Sequence, residues 1–144
     1  MHYSFKTIKM EHTKSISINF YRNLGKLFYS IAAADKNVRD VEYSTLKKII
    51  KTEWLDIDDV KDSFGTDTAY QIEIVFDWLC SDNEYGCKTC FNDFITFKKN
   101  NELLFTNRIK QLIMKTATAI ADSFSGKNKS ELIMLANLNI ELHK

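Results

Sequence analysis

No proline occurs anywhere in the 144 residues, and the four glycines, Gly25, Gly65, Gly86 and Gly126, stand far apart. Proline ends or kinks a helix because it lacks an N–H and crowds the preceding turn, and glycine weakens one through the backbone entropy it loses. A chain almost free of both has long stretches with nothing to interrupt a helix, so an all-α fold is the first expectation. The apolar spacing agrees. From Ser15 to Ala34, Phe20, Leu24, Leu27, Phe28 and Ile31 recur at intervals of three and four, the period of a buried helical stripe. After the polar stretch Asp35-Lys36-Asn37 a second stripe runs through Val41, Leu46, Ile49, Ile50 and Trp54, which makes a helical hairpin. Thr66 or Asp67 offers an N-cap for a third stripe of Ala69, Ile72, Phe76 and Leu79. Phe91, Phe94, Ile95 and Phe97 mark a fourth, with a polar break at Lys98-Lys99-Asn100-Asn101. The longest stripe runs from Leu104 to Ile120, and a last helix spans about Lys129 to His143. Ile72-Glu73-Ile74-Val75-Phe76 also alternates, so a strand is the alternative there, although no second segment offers it a partner. The expected fold is a single compact bundle of about six helices, built from two loosely pseudo-repeated hairpins. It occupies residues 15–144, with residues 1–14 as an N-terminal extension.

Hydrophobic residues make up 44% of the chain and include ten Phe, six Tyr and two Trp, enough for a true core. The longest apolar run, Leu132 to Ala136, falls far short of the roughly 20 residues needed to span a bilayer. The first residues have no signal-peptide pattern, and three cysteines form no even disulfide framework, so the expected location is the cytoplasm.

A formal net charge of +1 conceals a strong segregation. Residues 1–52 carry +6, residues 53–84 carry −9, and residues 85–144 carry +4. The central block sets Glu53, Asp56, Asp58, Asp59, Asp62, Asp67, Glu73, Asp77, Asp82 and Glu84 against Lys61 alone. Such a block must find basic neighbours within the chain, a cation or a basic partner. Two readings stay open: it folds back on the flanking lysines, or Asp56, Asp58, Asp59 and Asp62 form an acidic docking surface.

One internal echo links the ends of the two longest stripes. Ile31-Ala32-Ala33-Ala34-Asp35 leads through a polar loop to Glu42, and Ile120-Ala121-Asp122 leads through a second loop to Glu131. In Asn128-Lys129-Ser130-Glu131 the glutamate is the N3 partner of an Asn N-cap, a capping-box pattern. In the first copy Arg39 or Asp40 holds the cap position, so the box there is imperfect.

This arrangement resembles the TerB-like family of bacterial tellurite-resistance and stress-response proteins. The family's mark is a helix ending in Ala-Ala-x-Ala-Asp-Gly, with a Glu seven residues after the Asp. Ala32-Ala33-Ala34-Asp35 and Glu42 match it, Lys36 replaces the usual Gly, and Asp122 precedes Glu131 by nine residues instead of seven. The resemblance covers residues 20–54 well and 104–143 loosely. It implies a non-enzymatic helical bundle that acts with other proteins, membrane-associated stress proteins among them, and that has a metal-sensing role. Asp35 and Glu42 would be the acidic pair for a divalent cation, with Asp122 and Glu131 as their second-copy equivalents. Helix termination and capping are the alternative role for all four. An EF-hand does not fit, because Leu46 stands where the bidentate Glu is needed.

Cys80, Cys87 and Cys90 place three thiols within eleven residues, and Cys87 and Cys90 form a C-x-x-C. Zinc would need a fourth ligand, and His2, His12 and His143 all lie near the ends. Inert thiols are the simpler reading. There is no glycine-rich phosphate loop or H-E-x-x-H pair, and three Arg make a poor basis for nucleic-acid binding. The expectation is an interaction or sensing module of a bacterial stress-response or defence system, with no catalytic residues. The alternative is a metal-binding protein that uses the acidic loops or the cysteines, and an enzyme of unknown class is the residual alternative.

Overall fold

The structure is a computed structural model, and it describes residues 5–55, 66–82, 86–123 and 128–144, with side chains for 18–55, 68–82, 86–123 and 128–144. Six α-helices and short 3-10 and π turns form the described residues, with no strand among them. Helix α1 (Phe5–Ala32) is the central element, and α3 (Gln71–Ser81), α4 (Cys87–Asn100) and α5 (Asn107–Asp122) pack on it. Helix α2 (Asp40–Ile49) and α6 (Lys129–Leu142) both pack on α5. Residues 5–14, which the apolar pattern leaves outside the first helix, continue α1 without a break.

The stripe Phe20, Leu24, Leu27, Phe28 and Ile31 is wholly buried, as its period requires. Gly25 lies beside it, where α3 crosses so closely that a Cβ at Gly25 would stand 2.7 Å from the carbonyl oxygen of Ile72. Ile72–Phe76 lies within α3, so its helical stripe prevails over its alternation. Helix α2 runs on as a π turn, Ile50–Trp54, in which the Leu55 N–H reaches back to the Ile50 carbonyl at 3.1 Å. Its end buries Trp54, whose indole N–H donates to Thr116 Oγ1 at 3.0 Å. Phe20, Phe28 and Tyr21 surround that ring.

The polar break at Lys98 is not a helix end. Helix α4 continues to Asn100, and Lys98 lays its apolar stem in the core while its Nζ reaches Glu102 at 3.2 Å.

Candidate functional site

The first loop of the internal echo meets the start of α6, where the second one ends. Helix α1 ends in small residues, and the chain then reverses at Lys36, whose φ of 67° lies in the left-handed region. Glycine takes that conformation without strain, which is the physical sense of a glycine at this point of the motif. Asp35 Oδ1 accepts from the Asn37 N–H at 3.1 Å and so fixes the turn. Asp35 Oδ2 accepts twice: from the Arg39 guanidinium at 3.0 Å, and from the side-chain amide of Asn128 at 2.7 Å.

Arg39 and Asn128 are the N-cap residues of α2 and α6. The Arg39 backbone N–H donates to Glu42 Oε1 at 2.8 Å, and the Asn128 backbone N–H donates to Glu131 Oε1 at 3.4 Å. Asn128 Oδ1 accepts from the Glu131 N–H at 2.9 Å, which completes the second capping box. Capping alone would leave both glutamates near the surface, yet Glu42 is 1% exposed and Glu131 3%. Inside the protein the two carboxyl groups adjoin, and each acts on the other. Glu42 Oε2 and Glu131 Oε2 are both buried and accept from no donor among the described residues, an arrangement that is costly for two carboxylates. Burial, then the neighbouring Glu131, pushes the Glu42 carboxyl up to about 7 against the opposing Arg39 N–H and charge. Burial likewise raises Glu131, offset by the Asn128 N–H.

Asp35, Glu42 and Glu131 therefore share one cluster, while Asp122 lies exposed in the last turn of α5. The cluster does not fit a resident hard cation. Calcium takes six to eight oxygens, whereas both Asp35 oxygens already accept hydrogen bonds and the Arg39 guanidinium lies 3.0 Å from one of them. No group of three or more His, Cys, Asp or Glu among the described residues is placed to hold a metal ion. Arg39 supplies the positive charge instead, 3.9 Å from Glu42 Oε1 as well.

All three cysteines are free thiols, and Cys80 and Cys87 share a groove with Tyr29. Burial pushes Cys80 and Cys90 each up to about 11, so both stay protonated at neutral pH. Cys80 and Cys87 border an open groove of about 710 Å³, whose other walls include Tyr29, Lys36, Arg39 and Tyr43.

Of the acidic block, Asp56, Asp58, Asp59 and Asp62 lie outside the described residues. Glu53 folds back on a flanking basic segment, pairing with Lys115 of α5 at 2.7 Å. Helix α3 carries a feature the charge count does not show: Ile74 and Trp78, one turn apart, are 55% and 51% exposed. Their signal was present in the sequence, since both fall off the Ile72–Phe76–Leu79 stripe. No family model matches the chain, and comparison with curated proteins and with solved structures gave no significant match. No described helix is long and apolar enough to cross a membrane.

Proposed function

We propose that the chain is a non-enzymatic helical interaction or sensing module of the TerB-like type, serving a bacterial stress-response or defence system. The observation that carries this reading is the meeting of the first echoed loop with the start of α6. Asn128 of one arm bonds to Asp35 of the other, and Glu42 and Glu131 adjoin, so both glutamates and one aspartate of the echo form a single structural unit while Asp122 stays apart. The left-handed turn at Lys36, where the motif has glycine, adds support.

The interaction face is α3. Ile74 and Trp78 supply an apolar anchor site, and no Lys or Arg occurs between Lys61 and Lys88, a stretch with six acidic residues. Exposed aromatic residues of this kind contribute disproportionately to interfaces. The partner that fits is a protein segment that is basic and carries an apolar anchor. Partner capture by the full chain tests this. Binding should weaken with salt, and it should be lost in Trp78→Ala and on neutralising Asp56, Asp58 and Asp59, with helicity unchanged. Capture indifferent to salt and to these substitutions would remove α3 and the acidic block from the explanation.

A further inference from the structure

Glu42 and Glu131 come from the first turns of α2 and α6, far apart in sequence, and meet inside the protein. Each uses Oε1 to accept the backbone N–H of its own N-cap residue, which fixes both carboxyl planes. Each has a buried Oε2 that no donor among the described residues reaches. Two buried carboxylates in contact would repel strongly and leave both oxygens unsatisfied. A cation or a proton could fill the gap. The cation is disfavoured by the company: Asp35 already accepts three hydrogen bonds, and Arg39 brings a guanidinium to both Asp35 and Glu42.

We propose that Glu42 and Glu131 hold one shared proton, and that this proton latches the α1–α2 hairpin to α6 at the place where the resemblance calls for a metal ion. One carboxyl donates its O–H to the other, which satisfies both Oε2 atoms with a single hydrogen. The groups facing the pair are Asp35 from the α1–α2 loop, Arg39 at the start of α2, and the protonated Cys80 thiol of α3. Helix α5, packed on both α2 and α6, buries only uncharged side chains. Arg39 therefore compensates Asp35, and the proton compensates one glutamate.

The pH dependence follows from the direction of the shift. Glu42 is raised from an ordinary 4.5 to about 7, so the folded state binds the proton more tightly than the unfolded chain does. The stabilisation is complete below about pH 4.5 and is lost as pH rises through about 7. The inference rests on the cluster's geometry and not on the α3 docking face, so the two fail separately, one in unfolding measurements and the other in partner capture.

The test is urea unfolding of the full chain at about pH 5 and pH 8, for the wild type and for Glu131→Gln and Glu42→Gln, in EDTA and in calcium chloride. Glutamine keeps the cap and carries a permanent N–H donor toward the partner carboxylate. The wild-type folding equilibrium should weaken roughly 70-fold between these pH values, and that of Glu131→Gln several-fold less, burial alone then raising Glu42. Infrared spectra of the wild type need no variant, and should show a buried protonated-carboxyl band at about pH 6 that disappears by about pH 8.5. A wild-type equilibrium flat across this range, a Glu131→Gln slope equal to the wild type's, or the absence of that band would overturn the proposal. So would stabilisation of the wild type by calcium that either glutamine variant abolishes.

Discussion

The side-chain amide of Asn128 donates to Asp35 Oδ2 over 2.7 Å, joining residues 93 positions apart. The same side chain caps α6 through its Oδ1, which accepts from the Glu131 N–H at 2.9 Å. One residue thus starts a helix and ties it to the end of α1. Asn128→Ala removes both bonds and should cost about 1–2 kcal/mol in urea unfolding. Asn128→Asp keeps a capping oxygen but sets a carboxylate against Asp35, so it too should be destabilised at neutral pH. If both variants match the wild type, the loops are held by something other than this bridge.

Lys36 is the one non-glycine residue with positive φ among the described residues, at 67°. A side chain there costs roughly 1 kcal/mol that glycine avoids. Its backbone N–H still closes the end of α1 on the Ala33 carbonyl at 2.8 Å, so the turn itself is sound. Lys36→Gly should therefore raise stability by about 0.5–1 kcal/mol despite the extra freedom of the unfolded chain. A loss in thermal melts would mean that the lysine side chain contributes more than its backbone strain costs.

Local pattern announced the helices, because Phe20, Leu24, Leu27, Phe28 and Ile31 are buried at the spacing that suggested them. The Asn128–Glu131 capping box was equally legible, since its parts lie within four residues. The Glu42–Glu131 contact was not, because nothing in either loop says that two N3 glutamates will face each other across the bundle. Lys98 misled for a related reason. A lysine reads as polar, but its stem is apolar and can lie in the core while the head reaches out to a partner such as Glu102. The acidic block was visible as a count, while the exposed pair Ile74 and Trp78 within it depended on which face of α3 meets α1.

Gly25 permits a close approach of α1 and α3 that the sequence pattern left unexplained. A Cβ built there stands 2.7 Å from the Ile72 carbonyl oxygen and 2.9 Å from Val75 Cβ, and neither atom can swing aside as a long side chain would. Gly25→Ala gains up to about 1 kcal/mol of helix propensity but must push α3 away, at a cost of about 1–3 kcal/mol. A net loss of about 1–2 kcal/mol in urea unfolding is the expected outcome. A stabilised variant would show that α1 and α3 pack less tightly than this crossing requires.

The thiols make a prediction about chemistry at alkaline pH. Cys80 and Cys90 are each held at about 11, so at about pH 8 only around one molecule in a thousand carries either as thiolate. The thiolate is the nucleophile, and Cys90 is also buried, so both should react slowly with a disulfide reagent while the protein stays folded. Cys87, half-buried at the first turn of α4 on the groove beside Lys88, should give the single fast phase. Cys87→Ser should abolish that phase and leave the slow ones, and adding urea should make the remaining thiols react at similar rates. Two fast thiols in the folded wild type would place Cys80 or Cys90 in a more open setting than this burial allows.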